Sequence, residues 1–205
     1  MVDAALLELE GVVFDTRVVR AESLTDALRA HGLDALPAHD VTLRDLVTLR
    51  AERAFSSRLA TSGAALRDGA REFIDSAASQ VRLVAVTRAS RDDSHTMLRL
   101  AGLADRFAML ICAEDVFDGK PSPEGYRLAM ERLNRRRPTK PETVLALEAD
   151  IAGIRAARAA KVRCVAIGPI EAHLAMEADA LVESLVGQTI QTLDELSQPG
   201  QERVQ

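Results

Sequence analysis

Short apolar segments alternate with amphipathic stretches along most of the chain, and this alternation predicts the fold. The apolar runs lack a clean period-two pattern, which is typical of strands that are buried on both faces of a parallel sheet. Between these runs, apolar residues recur at helical spacing. The predicted strands are Ala4–Leu9, Leu83–Val86, Met109–Ala113, Val144–Leu147 and Cys164–Ile167, with a weaker one at Ala180–Val182. The predicted crossover helices are Asp92–Ala101, Pro123–Leu133 and Ile151–Ala160.

A long helical stretch interrupts this rhythm directly after the first strand. The apolar spacing within it predicts helices over Val18–Ala30, Val41–Ala60 and Ala64–Ala78, and none of its segments has a convincing strand pattern. Repeated strand–helix–strand units predict an α/β fold with a Rossmann-like open parallel sheet and right-handed crossovers. The helical stretch would then be an insert that stands over the carboxyl ends of the strands as a cap.

The same patterns divide the chain into predicted domains. Residues 1–15 and 81–197 are expected to form the core domain, and residues 16–80 a small all-helical cap domain. The segment 198–205 is polar and contains Pro and Gly, so we expect it to be a disordered tail.

Composition narrows the range of functions. The 205 residues carry a net charge of −5, which argues against nucleic acid or an anionic membrane as the main partner. Aromatic residues make up 3% of the chain and Trp is absent, so stacking platforms for single-stranded nucleic acid are disfavoured. Both cysteines lie in apolar runs and are predicted to be buried, reduced thiols. The sequence shows neither a signal peptide nor a membrane span, so we expect a cytoplasmic protein.

Polar side chains suited to catalysis or ligand binding follow several of the predicted strands. In an open parallel sheet, ligands bind just beyond the carboxyl ends of the strands. Contact with solvent would account for any one of these residues, but their coincidence at four strand ends favours a shared site. Clustered carboxylates suit a hard cation such as Mg²⁺, and a hydroxyl and an ammonium suit a phosphate group. The residues are Glu8, Glu10, Thr87, Lys120, Glu148 and Asp150.

Four motifs in the right order give these positions a family context. LLELEGVVFDT resembles the first motif of the haloacid dehalogenase (HAD) superfamily, and VAVT, which ends at Thr87, resembles the second. FDGKPSPEGYRLAMERL is similar to the third motif, and LALEADIAGIRAARAAKVRCVAIG is similar to the fourth. The resemblance covers Ala4 to Leu193, and it is to the branch of β-phosphoglucomutases and related phosphatases with a helical cap.

The resemblance implies specific roles for the residues at the strand ends. Glu8 stands at the position of the nucleophile, which attacks phosphorus, and Glu10 stands at the position of the general acid and base. Thr87 and Lys120 match the residues that hold the phosphoryl oxygens. Arg88 stands where the family often has Asn, and it would either add phosphate affinity or point into solvent. We therefore predict Glu8, Glu10, Thr87 and Lys120 as catalytic residues, and Thr87, Arg88 and Lys120 as the phosphate-binding set.

The predicted metal ligands for Mg²⁺ are Glu8, Glu10, Glu148 and Asp150, and they depart from the family pattern. The first motif of the family has Asp where this chain has Glu8 and Glu10, and Ala149 replaces a metal-binding Asp of the fourth. A Glu carboxylate lies about 1.5 Å farther from the backbone than that of Asp. A misplacement of about 1 Å can cost on the order of 10²-fold in rate.

These departures lead to two hypotheses. The first is a pseudoenzyme of the HAD fold, which binds a small phosphorylated metabolite or an inorganic anion and whose catalysis is weak or lost. The alternative is an active Mg²⁺-dependent phosphomonoester hydrolase that acts on a small phosphorylated metabolite. Mutase activity is disfavoured, because Arg20 and the segment Leu46–Ala51 do not match the cap residues of the phosphoglucomutases.

Overall fold

The computed structural model describes residues 1–171, 173 and 176–198. The predicted tail 198–205 lies outside the described residues except for Gln198. The strands are β1 (Ala4–Leu7), β2 (Phe14–Asp15), β3 (Ala65–Leu66), β4 (Arg82–Val86), β5 (Phe107–Ile111), β6 (Val144–Glu148), β7 (Arg163–Ile167) and β8 (Ala180–Val182). The α-helices are α1 (Arg17–Ala30), α2 (Val41–Ser62), α3 (Ala70–Ala78), α4 (Arg91–Leu100), α5 (Glu124–Arg136), α6 (Ile151–Ala159) and α7 (Ile190–Leu196).

A six-stranded sheet forms the centre of the molecule and confirms the predicted α/β fold. Its strand order is β5-β4-β1-β6-β7-β8, and every neighbouring pair is parallel. From β1 the chain builds outward through β4 to β5, and it then crosses to the other side of β1 to form β6. This reversal leaves a crevice at the carboxyl ends of β1 and its neighbours, where open α/β folds bind their ligands.

Helices cover both faces of this sheet, as the apolar strands require. Successive residues of β1 point to opposite faces, so Leu6 belongs to one apolar cluster and Leu7 to the other. The Leu7 side is covered by α3, α4 and α7, and the Leu6 side by α5 and α6. Phe55 and Leu59 of α2 join the Leu7 cluster, so the inserted helices share the apolar core of the sheet.

Helix boundaries follow local capping chemistry. Ser90 accepts a hydrogen bond from the backbone N–H of Asp93 at the start of α4. Asp150 does the same for Gly153 at the start of α6, with a distance of 2.8 Å. Both cysteines are buried and free, in agreement with the sequence. None of the helices in the described ranges combines the length and the apolar character that a membrane span requires.

The prediction of one continuous helix over Ala64–Ala78 is wrong. Ala65–Leu66 instead form β3, which pairs in antiparallel fashion with Phe14–Asp15 of β2 at the two ends of the insert. Gly69 then adopts a φ of +78°, which is a left-handed conformation that ends the extended segment before α3 begins. Apolar spacing alone did not reveal this break, because Ala and Leu suit both helix and strand.

Gly69 is the position at which the fold depends most directly on a missing side chain. A Cβ there would lie 2.6 Å from the carbonyl oxygen of Leu185 and would overlap the backbone of Val186. Gly32 has a similar φ of +66°, but it has open space around its Cα. The two glycines therefore separate the cost of backbone conformation from the cost of overlap.

We predict that Gly69→Ala lowers the free energy of unfolding more than Gly32→Ala does. Both variants carry left-handed strain, and only the first also forces backbone apart, which adds a penalty of about 1–3 kcal/mol. Urea denaturation of the two variants and the wild type measures the difference. Equal losses in the two variants would contradict the packing proposed for Gly69.

Candidate functional site

Three of the predicted site residues meet at the carboxyl ends of adjacent strands. Glu8 follows β1, Thr87 follows β4 and Glu148 is the last residue of β6. Lys120 reaches the same place from the loop between β5 and α5. Its ammonium nitrogen lies 2.7 Å from Oε2 of Glu8 and 2.5 Å from Oε1 of Glu148.

The hydrogen bonds of Lys120 are fully used within the protein. An ammonium group has three N–H donors. In addition to the two carboxylates, Nζ donates to the carbonyl oxygen of Val86 at 2.7 Å. Burial alone would lower the pKa of Lys120, but the charges of Glu148 and Glu8 outweigh it and raise this pKa. Lys120 is therefore a permanently charged group, and each of its donors already has an acceptor.

Glu148 is the most deeply placed acid of the site, with 1% of the residue exposed. Tyr126 of α5 donates its phenolic O–H to the same Oε1 that accepts from Lys120. Burial raises the pKa of Glu148, and the charge of Lys120 opposes this rise, so that the pKa is about 7. A Cβ at Gly153 would overlap the Glu148 carboxylate, so the glycine makes the room that this carboxylate occupies.

Glu10 is bound by a cation from the inserted helices. Arg20 of α1 donates to both of its carboxylate oxygens, at 2.7 and 2.8 Å, and Thr16 adds its hydroxyl at 2.8 Å. The same guanidinium donates to both oxygens of Glu52 and lies 3.7 Å from the ring centre of Phe55. Burial would raise the pKa of Glu10, but the hydrogen bonds and charge of Arg20 lower it. Glu10 is thus an ionised carboxylate that links the core to α1 and α2.

Ala149 and Asp150 follow Glu148 at the carboxyl end of β6. Asp150 caps α6, and its other oxygen forms an ion pair with Arg88. Ala149 offers only a methyl group. A Cβ on Gly11 would lie 2.6 Å from it, so backbone and methyl are in close approach where the family has a carboxylate.

The four predicted metal ligands do not form a shared metal centre in this arrangement. Glu8 and Glu148 face Lys120, Glu10 faces Arg20, and Asp150 faces Arg88. Over residues 1–171, 173 and 176–198, no group of three or more His, Cys, Asp or Glu side chains is placed to hold a metal ion. Mg²⁺ requires near-octahedral oxygen ligation. The donor set of this structure therefore does not fit the ion, and the Mg²⁺ site stays a prediction that these contacts oppose.

Two cavities open at this edge of the sheet and divide the predicted residues between them. The larger has a volume of about 580 Å³, and its wall includes Glu8, Glu10, Arg88 and Asp150. The smaller, of about 300 Å³, is lined in part by Thr87, Arg88 and Lys120. Arg88 alone of the predicted phosphate-binding residues borders both cavities. The role of Thr87, Arg88 and Lys120 in phosphate binding stays a prediction.

Tyr126 and Arg20 are site residues that sequence reasoning did not assign. Tyr126 is the only tyrosine of the chain, and it lies six residues after Lys120 in the third motif. A buried tyrosine needs a partner for its hydroxyl, so its position on the apolar side of α5 was the available signal. Arg20 gave no such signal, because its contacts depend on how the inserted helices pack on the core.

Comparisons with known proteins agree with this architecture. Residues 6–161 match the family model described as haloacid dehalogenase-like hydrolase. The chain is 29% identical to validoxylamine A 7'-phosphate phosphatase from Streptomyces hygroscopicus subsp. limoneus, over 90% of this chain and 95% of that protein. It is 25% identical to Protein CbbY from Cereibacter sphaeroides, over 80% and 84% of the respective chains.

Solved structures show the same fold. CbbY from Rhodobacter sphaeroides, crystallised in complex with phosphate, has a TM-score of 0.78 at 24% identity and covers 95% of this chain and 100% of its own. β-Phosphoglucomutase from Clostridium difficile also has a TM-score of 0.78, at 16% identity, with coverages of 96% and 97%.

We predict that Lys120→Met destabilises the protein strongly at neutral pH. The substitution leaves the buried Glu8 and Glu148 without their shared counter-charge, which costs about 3–5 kcal/mol. Burial raises the pKa of Glu148 to about 7, so protonation of this acid should shrink the loss as the pH falls from 7.5 to 5. Urea denaturation at both pH values measures it, with Lys140→Met, at an exposed lysine, as the control. A deficit that does not depend on pH would contradict the ion-pair assignment.

Proposed function

Since the chain belongs to the haloacid dehalogenase-like hydrolase family, we propose that it binds a small phosphorylated metabolite or an inorganic anion with little or no turnover. The observation that carries this proposal is the bond between Glu8 and Lys120. A residue at the position of the nucleophile must be free to approach phosphorus, and near-contact geometry decides its rate. Here Glu8 is 4% exposed, and its carboxylate is bound to an ammonium group.

The state of Glu10 supports the same conclusion. A general acid must carry a proton before it can deliver one to a leaving group. Arg20 lowers the pKa of Glu10 and occupies both of its oxygens. This carboxylate is therefore ionised at neutral pH and is poorly suited to protonate a leaving group. Its contacts suit a structural link between the insert and the core.

The larger cavity supports ligand binding. Its volume of about 580 Å³ lies within the usual range of small-molecule sites. Backbone and side chains from both the core and the insert line it, among them four arginines. Arginine forks recognise phosphate and carboxylate groups through paired hydrogen bonds. Loss of catalysis need not remove this recognition, because binding and chemistry depend on different residues.

An active phosphomonoester hydrolase is the second candidate. The observation that favours it is the similarity to validoxylamine A 7'-phosphate phosphatase, which extends over 90% of the chain. In that case Lys120 would have to exchange its internal acceptors for those of a substrate, and Glu8 would have to leave it. The two candidate functions differ in whether this rearrangement of Lys120 and Glu8 takes place.

We predict that the wild type hydrolyses p-nitrophenyl phosphate and glucose 6-phosphate no faster than a buffer blank, with or without Mg²⁺. The triple variant Glu8→Asp/Glu10→Asp/Ala149→Asp should gain Mg²⁺-dependent turnover of at least about 10²-fold over the wild type, because it restores the family's carboxylate positions. Phosphate release measures both rates. Isothermal titration calorimetry should show that the wild type nevertheless binds glucose 6-phosphate.

Glu131→Asp, at an exposed position of α5, serves as the control for a Glu-to-Asp change outside the site. Wild-type turnover that depends on Mg²⁺ and equals that of the triple variant would overturn the pseudoenzyme proposal and favour the hydrolase. Failure of the wild type to bind any phosphorylated probe would overturn the binding proposal.

A further inference from the structure

We propose that Arg67 anchors an anion subsite in the larger cavity and that this subsite takes the phosphate group of a small phosphorylated ligand. The inference rests on the proposed binding function and assigns a position to the bound anion. It differs from the family-based expectation, in which Thr87 and Lys120 hold the phosphate.

Four arginines line the larger cavity, and three of them already have acidic partners. Arg20 is bound to Glu10 and Glu52, and Arg88 to Asp150. Arg17 forms a two-pronged ion pair with Asp15. The cationic residues of the wall are Arg17, Arg20, Arg67 and Arg88.

Arg67 differs from the other three. Within the residues that the structure describes, its guanidinium has neither a hydrogen-bond acceptor nor an ion-pair partner. The charge of Arg67 interacts with that of Asp15. The pKa of Asp15 is lowered to about 2, first by the hydrogen bond from Arg17 and more weakly by the charge of Arg67. Arg67 therefore brings to the cavity wall a guanidinium whose donors have no acceptor among the described residues, with Asp15 as an anionic neighbour.

The surroundings of Arg67 hold it in place. Its backbone N–H donates to the carbonyl of Val13 at 2.9 Å, and its own carbonyl accepts from Ala70 at 3.0 Å. Gly168, with a φ of +95°, lies on the other side, and a Cβ there would come within 2.8 Å of the guanidinium. The hydrogen-bonded backbone of Arg67 and the missing side chain at Gly168 thus leave Arg67 half-buried at the cavity wall.

The charge balance favours Arg67 over Lys120 as the place where an anion binds. A phosphate at Lys120 must displace a carboxylate or the Val86 carbonyl, because all three ammonium donors are used. A phosphate at Arg67 displaces no acceptor among the residues that the structure describes. The guanidinium of Arg67 offers two parallel donors to the oxygens of a phosphate.

Isothermal titration calorimetry with glucose 6-phosphate tests the subsite. Arg67→Gln should raise Kd by at least about ten-fold, the effect expected for losing a charge-assisted hydrogen bond. Arg50→Gln, at an exposed arginine of α2 outside the cavity wall, should leave Kd unchanged. Glucuronate, which carries a carboxylate on a similar ring, should bind the wild type more weakly than glucose 6-phosphate.

A crystal of the wild type soaked with tungstate provides a second measurement that needs no variant. The tungsten position should lie within hydrogen-bond distance of the Arg67 guanidinium. A tungsten position at Thr87 and Lys120, or equal affinities of the wild type and Arg67→Gln, would overturn the subsite and leave the binding function standing. Glucuronate binding as tight as that of glucose 6-phosphate would overturn the phosphate assignment. No binding of any probe by the wild type would overturn the subsite and the proposed function together.

Discussion

The structure depends on one interaction, that of the buried ammonium of Lys120 with its carboxylate partners. Two carboxylates, Glu8 and Glu148, are almost fully buried at neighbouring strand ends, and Lys120 forms an ion pair with both of them. Removing one partner of such a pair leaves a charge without solvent or counter-ion, so each of these residues constrains the others. One positive charge does not balance two negative ones. Tyr126 therefore also donates to the carboxylate of Glu148. Burial and the negative charge of Glu8 raise the pKa of Glu148 to about 7.

The same compensation extends to the whole edge of the sheet. In a metal-dependent site, the ion itself balances the charge of clustered carboxylates, and they are arranged around it. Here the balance comes from side chains: Glu10 pairs with Arg20, and Asp150 pairs with Arg88. Each pair turns a carboxylate away from a common centre and toward its own cation. Shared ligation of an ion by these carboxylates would require several of these bonds to break.

The sequence was sufficient to predict the sheet, because runs such as Leu83–Val86 and Val144–Leu147 are apolar on both faces and cannot be surface elements. It also indicated that Glu8 and Glu148 lie at strand ends and that Lys120 follows another strand, since parallel strands bring those ends together. It could not indicate which cation each acid would face, because that depends on helix packing over long separations in sequence, as for Arg20 and Glu10. The turn at Gly69 escaped prediction for a local reason, since its φ is set by the backbone of Leu185–Val186 that packs against it.

Side-chain length connects these observations. A Glu carboxylate reaches about 1.5 Å farther from its backbone than an Asp carboxylate. At position 10, the longer side chain carries the carboxylate to Arg20, which donates to both of its oxygens. Arg20 in turn donates to Glu52 and stacks on Phe55. At position 8, the longer side chain carries the carboxylate to the ammonium of Lys120. The longer acids and their cationic partners are therefore best understood as a matched set. Shortening one acid would loosen a contact that positions the inserted helices or the third-motif loop, so chemistry and architecture are coupled through the same few bonds.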